Sequence, residues 1–247
     1  MLRLIYNNSF EGFLTAIYHA FYSKEEIISI TTDNNLEIDM LTKINYIDTD
    51  KEKYTKVKDA IVTKIDPLAL NKIYKLYLSN YDNKELLCYN YLKIAFKIGS
   101  SIHKHLYLDE VRNLDLIERR VSLEAHRFHG FVRFSLINNI FLYSPIEPDN
   151  NILELISPHF QRRFKNEYWI IHDIKRNTAS IYNKVSWEIT EIDCNFYKFI
   201  TNYKDEFEEL WKSYFNSITI KERCNPKLQK RMMPKRYWSN LTEMKTK

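Results

Sequence analysis

The chain has 247 residues, 45% of them hydrophobic, and a formal net charge of +5. That length fills one large domain or two small ones, and no run approaches the ~18 consecutive apolar residues of a membrane span. Glycine stands only at positions 12, 99 and 130 and neither HExxH nor GxSxG occurs, which excludes a phosphate loop, a dinucleotide fingerprint and the common zinc-protease and serine-hydrolase chemistries.

In chain order, "LRLIYN" reads as a short strand that ends at Asn7-Asn8-Ser9. Asn8 with Glu11 resembles a capping box, and Phe13, Leu14, Ile17, Ala20 and Phe21 follow helical spacing. Acidic Glu11 and the absence of a small-residue cleavage site in this stretch argue against a signal peptide, so a cytoplasmic location is expected. Residues 23–50, with "IISITT" broken by "DNN", suggest a hairpin or loop. Leu87, Tyr91, Ile94, Ala95 and Ile98 mark a helix that ends at Gly99. Asp109 is placed to cap the next, whose apolar face is Leu114, Ile117, Val121, Ala125 and Phe128.

Beyond Gly130 the period changes to two, and segments 130–136 and 139–146 read as a hairpin turned at "NN". Pro148-Asp149 opens another helix, which Ser157-Pro158 restarts with N-cap and N1 chemistry. "YWIIHDI" and "ASIYNKV", within 168–175 and 179–185, read as a second hairpin, and the four segments as adjoining antiparallel strands. Phe207, Leu210, Trp211, Tyr214 and Phe215 mark a last helix. The fold expected is one α+β domain over 1–247, helices packed on a central antiparallel sheet: helix-rich over 1–128, sheet over 130–192, C-terminal helix and basic tail over 204–247.

Charge is concentrated at the end. Residues 221–247 hold nine basic side chains against Glu222 and Glu243, which leaves everything before them slightly acidic. Such a segment attracts polyanions by releasing their counterions. Within "IKERCNPKLQKRMMPKRYW", Arg223, Lys235, Arg236 and Trp238 pair phosphate-binding cations with a ring for a base. The competing account is a segment whose apolar residues pack on the domain.

Two further concentrations stand out. "EAHRFHGFVRF" (124–134) offers Glu124, His126, Arg127 and Arg133. It reads as a structural ion pair on a helix face, as an anion site where helix meets strand, or as an acid–base centre. "SPHFQRRF" (157–164) places His159, Arg162 and Arg163 after a cap at Ser157, which suits phosphate, as against a plain amphipathic helix. Asp173 and Arg176 read as an ion pair near a turn, with Arg176 a further phosphate candidate. Acid–base chemistry, were there any, would fall to Glu124, His126, His159 or Asp173. Cys88, Cys194 and Cys224 are odd in number and scattered, so neither a disulfide framework, a metal site nor a cofactor is expected in this chain alone.

Six segments in order, "NNSFEGFLTAIYHAF", "EAHRFHGFVRF", "PDNNILELISPHFQRRF", "WIIHDIKR", "LWKSYFNSITIKERCNPKLQ" and "MPKRYW", resemble a bacterial family. Its members are described as probable DNA metabolism or DNA repair proteins built on a domain of unknown function, and the resemblance spans Leu4 to about Glu243. Such proteins are typically encoded beside a radical SAM protein, and a similar domain is fused to uracil-DNA glycosylase-like domains. The resemblance therefore implies work on DNA with a radical SAM partner. The three-cysteine cluster of a radical SAM iron–sulfur centre is missing here, so that chemistry would belong to the partner. The leading expectation is a DNA-binding accessory that uses Arg127, Arg133, His159, Arg162, Arg163 and the tail. A glycosylase- or nuclease-like enzyme and a protein adaptor are the alternatives.

Overall fold

In the computed structural model, which describes residues 1–32, 42–192 and 207–244, strand β1 (Leu2–Tyr6) is the centre of a three-stranded sheet. β2 (Ile27–Thr31) and β3 (Lys43–Ile47) flank it, and both run parallel to it. This corrects the hairpin expected over 23–50: helix α1 (Phe10–Tyr22) carries the chain back along the sheet, so β2 enters in the direction of β1. The "DNN" break at 33–35 lies outside the described residues.

The cap of α1 is Ser9, one residue later than expected, and its Oγ accepts the Gly12 N–H at 3.0 Å. Gly12 is required there, since a Cβ would lie 2.5 Å from Asn7 Oδ1 and 2.7 Å from the Asn7 carbonyl oxygen. Helices α2 (Lys51–Lys64) and α3 (Pro67–Leu78) start on Asp50 and Asp66, whose carboxylates accept first-turn amides. α4 (Lys84–Ile98) ends at Gly99 with φ of +75°, as the sequence predicts. α5 (Asp109–Phe131) follows, and Leu114, Ile117, Val121, Ala125 and Phe128 are its buried face.

The described chain divides into two compact units, Met1–Ser122 and Leu123–Lys247. The second unit holds a five-stranded sheet: β4 (Ser135–Ile137), β5 (Phe141–Ile146), β6 (Trp169–Asp173), β7 (Thr178–Tyr182) and β8 (Trp187–Glu191), in spatial order. β4–β5, β6–β7 and β7–β8 are antiparallel, but β5 and β6 are parallel. The purely antiparallel sheet is thereby corrected to a mixed one. The physical reason is α6 (Leu153–Arg163), a crossover between β5 and β6 that returns the chain to the starting edge.

Two local readings change with it. α5 continues through Gly130 to Phe131, where a Cβ at 130 would meet nothing within 4 Å, so no backbone turn demands that glycine. The hairpin turn falls at "NN", as the sequence predicts: Asn138 and Asn139, both with positive φ, lie in a three-residue loop between the paired Ile137 and Phe141. Ser157 is no cap: it lies inside α6, where its Oγ donates to the Leu153 carbonyl at 2.6 Å and sits 2.7 Å from Ser180 Oγ.

After the sheet come α7 (Phe207–Ile218) and α8 (Pro226–Met232), with short 3-10 turns at Lys221–Arg223, Lys235–Asn240 and Thr242–Met244. Tyr237, Leu241 and Thr242 are buried, so the end of the basic segment packs on its own unit.

Candidate nucleic-acid interface

Glu124 faces inward from α5 and is 4% exposed. Its carboxylate accepts the Asp149 N–H at 2.9 Å, the Asn150 N–H at 2.9 Å, the Asn150 Nδ2 at 2.6 Å and the Tyr237 hydroxyl. With four donors satisfied it is a clamp that joins α5, the loop before α6 and the tail. Asp173 is likewise fully buried, and Arg176 donates to it at 2.7 Å while also reaching the Pro148 carbonyl at 3.3 Å. Burial pushes the Asp173 carboxyl above its ordinary range, against the opposing pull of Arg176 and two backbone amides.

Tail residues are committed in the same way. Arg133 forks onto Glu243, Nε to Oε2 at 3.1 Å and NH2 to Oε1 at 2.6 Å, and its NH1 donates to the Gly130 carbonyl. Burial opposes ionisation of Glu243, but the hydrogen bonds and charge of Arg133, a backbone amide and the Trp211 indole together hold the carboxyl below its usual range. Arg236 pairs with Asp149 at 3.0 Å and donates to the Tyr237 hydroxyl at 2.9 Å. The Trp238 Nε1 donates to the Met233 carbonyl, and Lys235 lies 5.9 Å above the Trp238 ring. Arg223 is exposed in its 3-10 turn, as are Lys227, Lys230 and Arg231 on α8.

His126, His159, Arg162 and Arg163 come together around His129, which the sequence reading had not singled out. The imidazoles of His129 and His159 stack with centroids 4.4 Å apart and planes 15° from parallel, and His126 sits 6.1 Å from His129. Arg162 and Arg163 are exposed on the last turn of α6, and neither has a carboxylate partner among the described residues. Arg127 is half-buried on α5 beside His126. Burial lowers the pKa of His129, as do His159, His126 and Arg162, while a hydrogen bond with the Leu155 backbone opposes them. His159 is lowered by burial and by Arg163 and Arg162. Burial first, and the neighbouring positive charge second, thus disfavour the imidazolium form of both rings. The Nε2 atoms of both are shielded and have no hydrogen-bond partner.

This cluster borders a cleft of about 490 Å³ lined by His129, Arg133, Arg163 and a set of rings. Phe134 meets Phe160 and Phe164 edge-on, at 5.5 and 5.2 Å. Phe207 and Trp211 of α7 also line the cleft, as do Glu208 and Thr242. Trp211 was visible in the sequence only as part of a helical stripe, and its Nε1 donates to Glu243 at 3.2 Å. The Arg163 guanidinium lies 5.5 Å over the Phe164 ring. Chemically, the arrangement offers apolar π faces beside arginines, of which Arg162 and Arg163 have no carboxylate partner among the described residues.

Among the described residues no group of three His, Cys, Asp or Glu side chains is arranged to hold a metal ion. Cys88 is buried, Cys224 is exposed, and Cys194 lies outside the described residues. No described helix is long and apolar enough to cross a membrane. No curated protein and no solved structure matches the chain. A family model does match it, from residue 82 through residue 243, and on that extent the chain belongs to DUF4130, a domain of unknown function.

Proposed function

We propose that the chain is a DNA-binding accessory of a repair or modification system that acts with a radical SAM partner. One observation carries the DNA-binding part: the ring-lined cleft of the second unit, with Arg163 in its lining and Arg162 next to it on α6, neither paired with a carboxylate among the described residues. Uncommitted arginines beside exposed rings suit phosphates beside bases. The exposed cations of the tail, Arg223, Lys227, Lys230 and Arg231, add a sequence-independent attraction to the same polyanion. The radical SAM partnership rests on the family resemblance, and this chain's share of the work is to hold DNA.

Acid–base catalysis gains little from the geometry, because Glu124 is saturated with donors and Asp173 is sealed from solvent. The adaptor reading is favoured by one feature, the exposed Leu210, Tyr214 and Ile218 on α7, and it stands second.

The test compares Arg162→Ala, Arg163→Ala and Arg133→Ala by DNA affinity across salt concentrations and by melting temperature. The first two are expected to weaken binding and reduce the salt slope by about 0.7–0.9 each, with melting unchanged. Arg133→Ala strands the carboxylate of Glu243 and is expected to cost on the order of 3 kcal/mol of stability. Wild-type affinity and slope in both Arg162→Ala and Arg163→Ala would overturn the DNA-binding reading.

A further inference from the structure

The cleft limits which form of DNA it can accept. We propose that it receives one unstacked nucleotide, the base lying against Phe164 and Trp211 and the adjoining phosphates held by Arg162 and Arg163. The proposal rests on the DNA-binding reading above and narrows it.

Size is the first argument. At about 490 Å³ the cleft lies in the lower part of the range of small-ligand pockets. It has room for a base and its sugar but not for stacked base pairs. Surface chemistry is the second. In an intact duplex the bases show only their edges in the grooves, and a wall of rings finds no face to stack on. An unpaired base supplies that face. Phe164 is fixed by its edge-on contact with Phe134 at 5.2 Å, and the Arg163 guanidinium over its ring presents a flat face of its own on which a base can stack. Trp211 keeps 41% of its surface exposed, so its ring is available rather than consumed by the core.

Charge is the third argument, and it takes in the titratable and charged groups that the described residues place around the cleft. From α5 come His126 and His129, and from α6 come His159, Arg162 and Arg163. Arg133 is neutralised by Glu243. On α7 the acidic Glu208 lines the cleft but has an interaction of its own. Positive charge is therefore in excess on the α6 side, where a phosphate next to a base held by Phe164 would fall. A free mononucleotide offers the same base and phosphate. A strand adds flanking phosphates, which the paired arginines favour.

The experiment is a fluorescence and affinity titration of the full chain with four probes: an oligo-dT strand, a flush duplex, the same duplex with one bulged nucleotide, and free dTMP. The strand and the bulged duplex are expected to bind at least about fivefold more tightly than the flush duplex, the gain of stacking one base, and to quench tryptophan emission. Trp211→Ala and Phe164→Ala should erase that preference, so that strand, bulged duplex and flush duplex bind alike. Trp211→Phe keeps the ring but loses the hydrogen bond to Glu243, so it should retain the preference even if stability changes. Equal affinity for flush and bulged duplexes, with Arg162→Ala and Arg163→Ala still weakening both, would overturn the nucleotide pocket and leave the DNA-binding reading standing. Binding of dTMP as tight as that of the strand would assign the cleft to a free nucleotide and also overturn the proposal. Failure of every DNA probe would remove the DNA-binding reading itself.

Discussion

Arg133 and Arg163 line the same cleft, yet only Arg163 keeps its charge uncommitted. Both sit in basic, aromatic segments of the sequence, and a one-dimensional reading treats them alike. What separates them is Glu243, 110 residues beyond Arg133, a pairing that spacing along the chain does not reveal. His129 was hidden for a related reason: its significance comes from a stacking partner on another helix, not from its neighbours in "HRFHG". The imidazole pair carries a pH prediction. Both rings have folded-state pKa values below the ordinary histidine value of 6.5, so the unfolded chain binds more protons once pH drops under that value. Stability of the free protein therefore falls as pH falls below about 6.5, and the lowered His19 and His172 act in the same direction. A bound phosphate reverses the preference by favouring the imidazolium form. DNA affinity is expected to rise between pH 7.5 and 5.5 at constant salt, and His159→Gln should flatten that rise.

At the scale of elements, helices and strands were legible wherever one periodicity ran without interruption. The face of α5 and the stop of α4 at Gly99 match the sequence pattern because each depends on residues within a few turns. Strand direction did not show, since a β-branched run reads the same whichever way its neighbour points. The parallel pairing of β5 and β6 follows from α6 lying between them. Ser157-Pro158 misled because the same dipeptide serves a helix start or a helix interior. Inside α6 the Ser157 hydroxyl bonds back to Leu153, while Pro158 forfeits one backbone donor. The β4–β5 turn yields an element-level prediction. Asn138 and Asn139 have φ of 53° and 57°, a conformation that costs an ordinary L-residue about 1 kcal/mol or more. Changing both to alanine should lower unfolding free energy by roughly 2 kcal/mol in urea titrations, whereas changing both to glycine should cost far less.

For the whole molecule, the DUF4130 match begins at residue 82, so the parallel sheet of the first unit lies before it. Composition and charge gave no sign of the boundary between the units, because helix α5 runs through it without a linker. The basic tail was legible as charge but not as structure. Its apolar and acidic residues, Tyr237, Leu241 and Glu243, seat it on the second unit, while its exposed cations face outward. A chain cut after Ile220 loses the donor to Glu124 and the partner of Arg133 together. It should be destabilised by on the order of 5 kcal/mol, seen as an early melting transition and as dye binding to newly opened apolar surface. The same seating sets a schedule for synthesis. Glu124 and its phenol partner Tyr237 are 113 residues apart, and at roughly 5–20 residues per second the carboxylate is made about 6–20 s before the hydroxyl that closes over it. Throughout that interval the nascent second unit lacks one of the four donors to Glu124, the carboxylate partner of Arg133 and the cover over an apolar seam. It is then a natural client for a holding chaperone, and a ribosome that stalls short of Tyr237 leaves a product marked for degradation by the very groups the finished protein conceals.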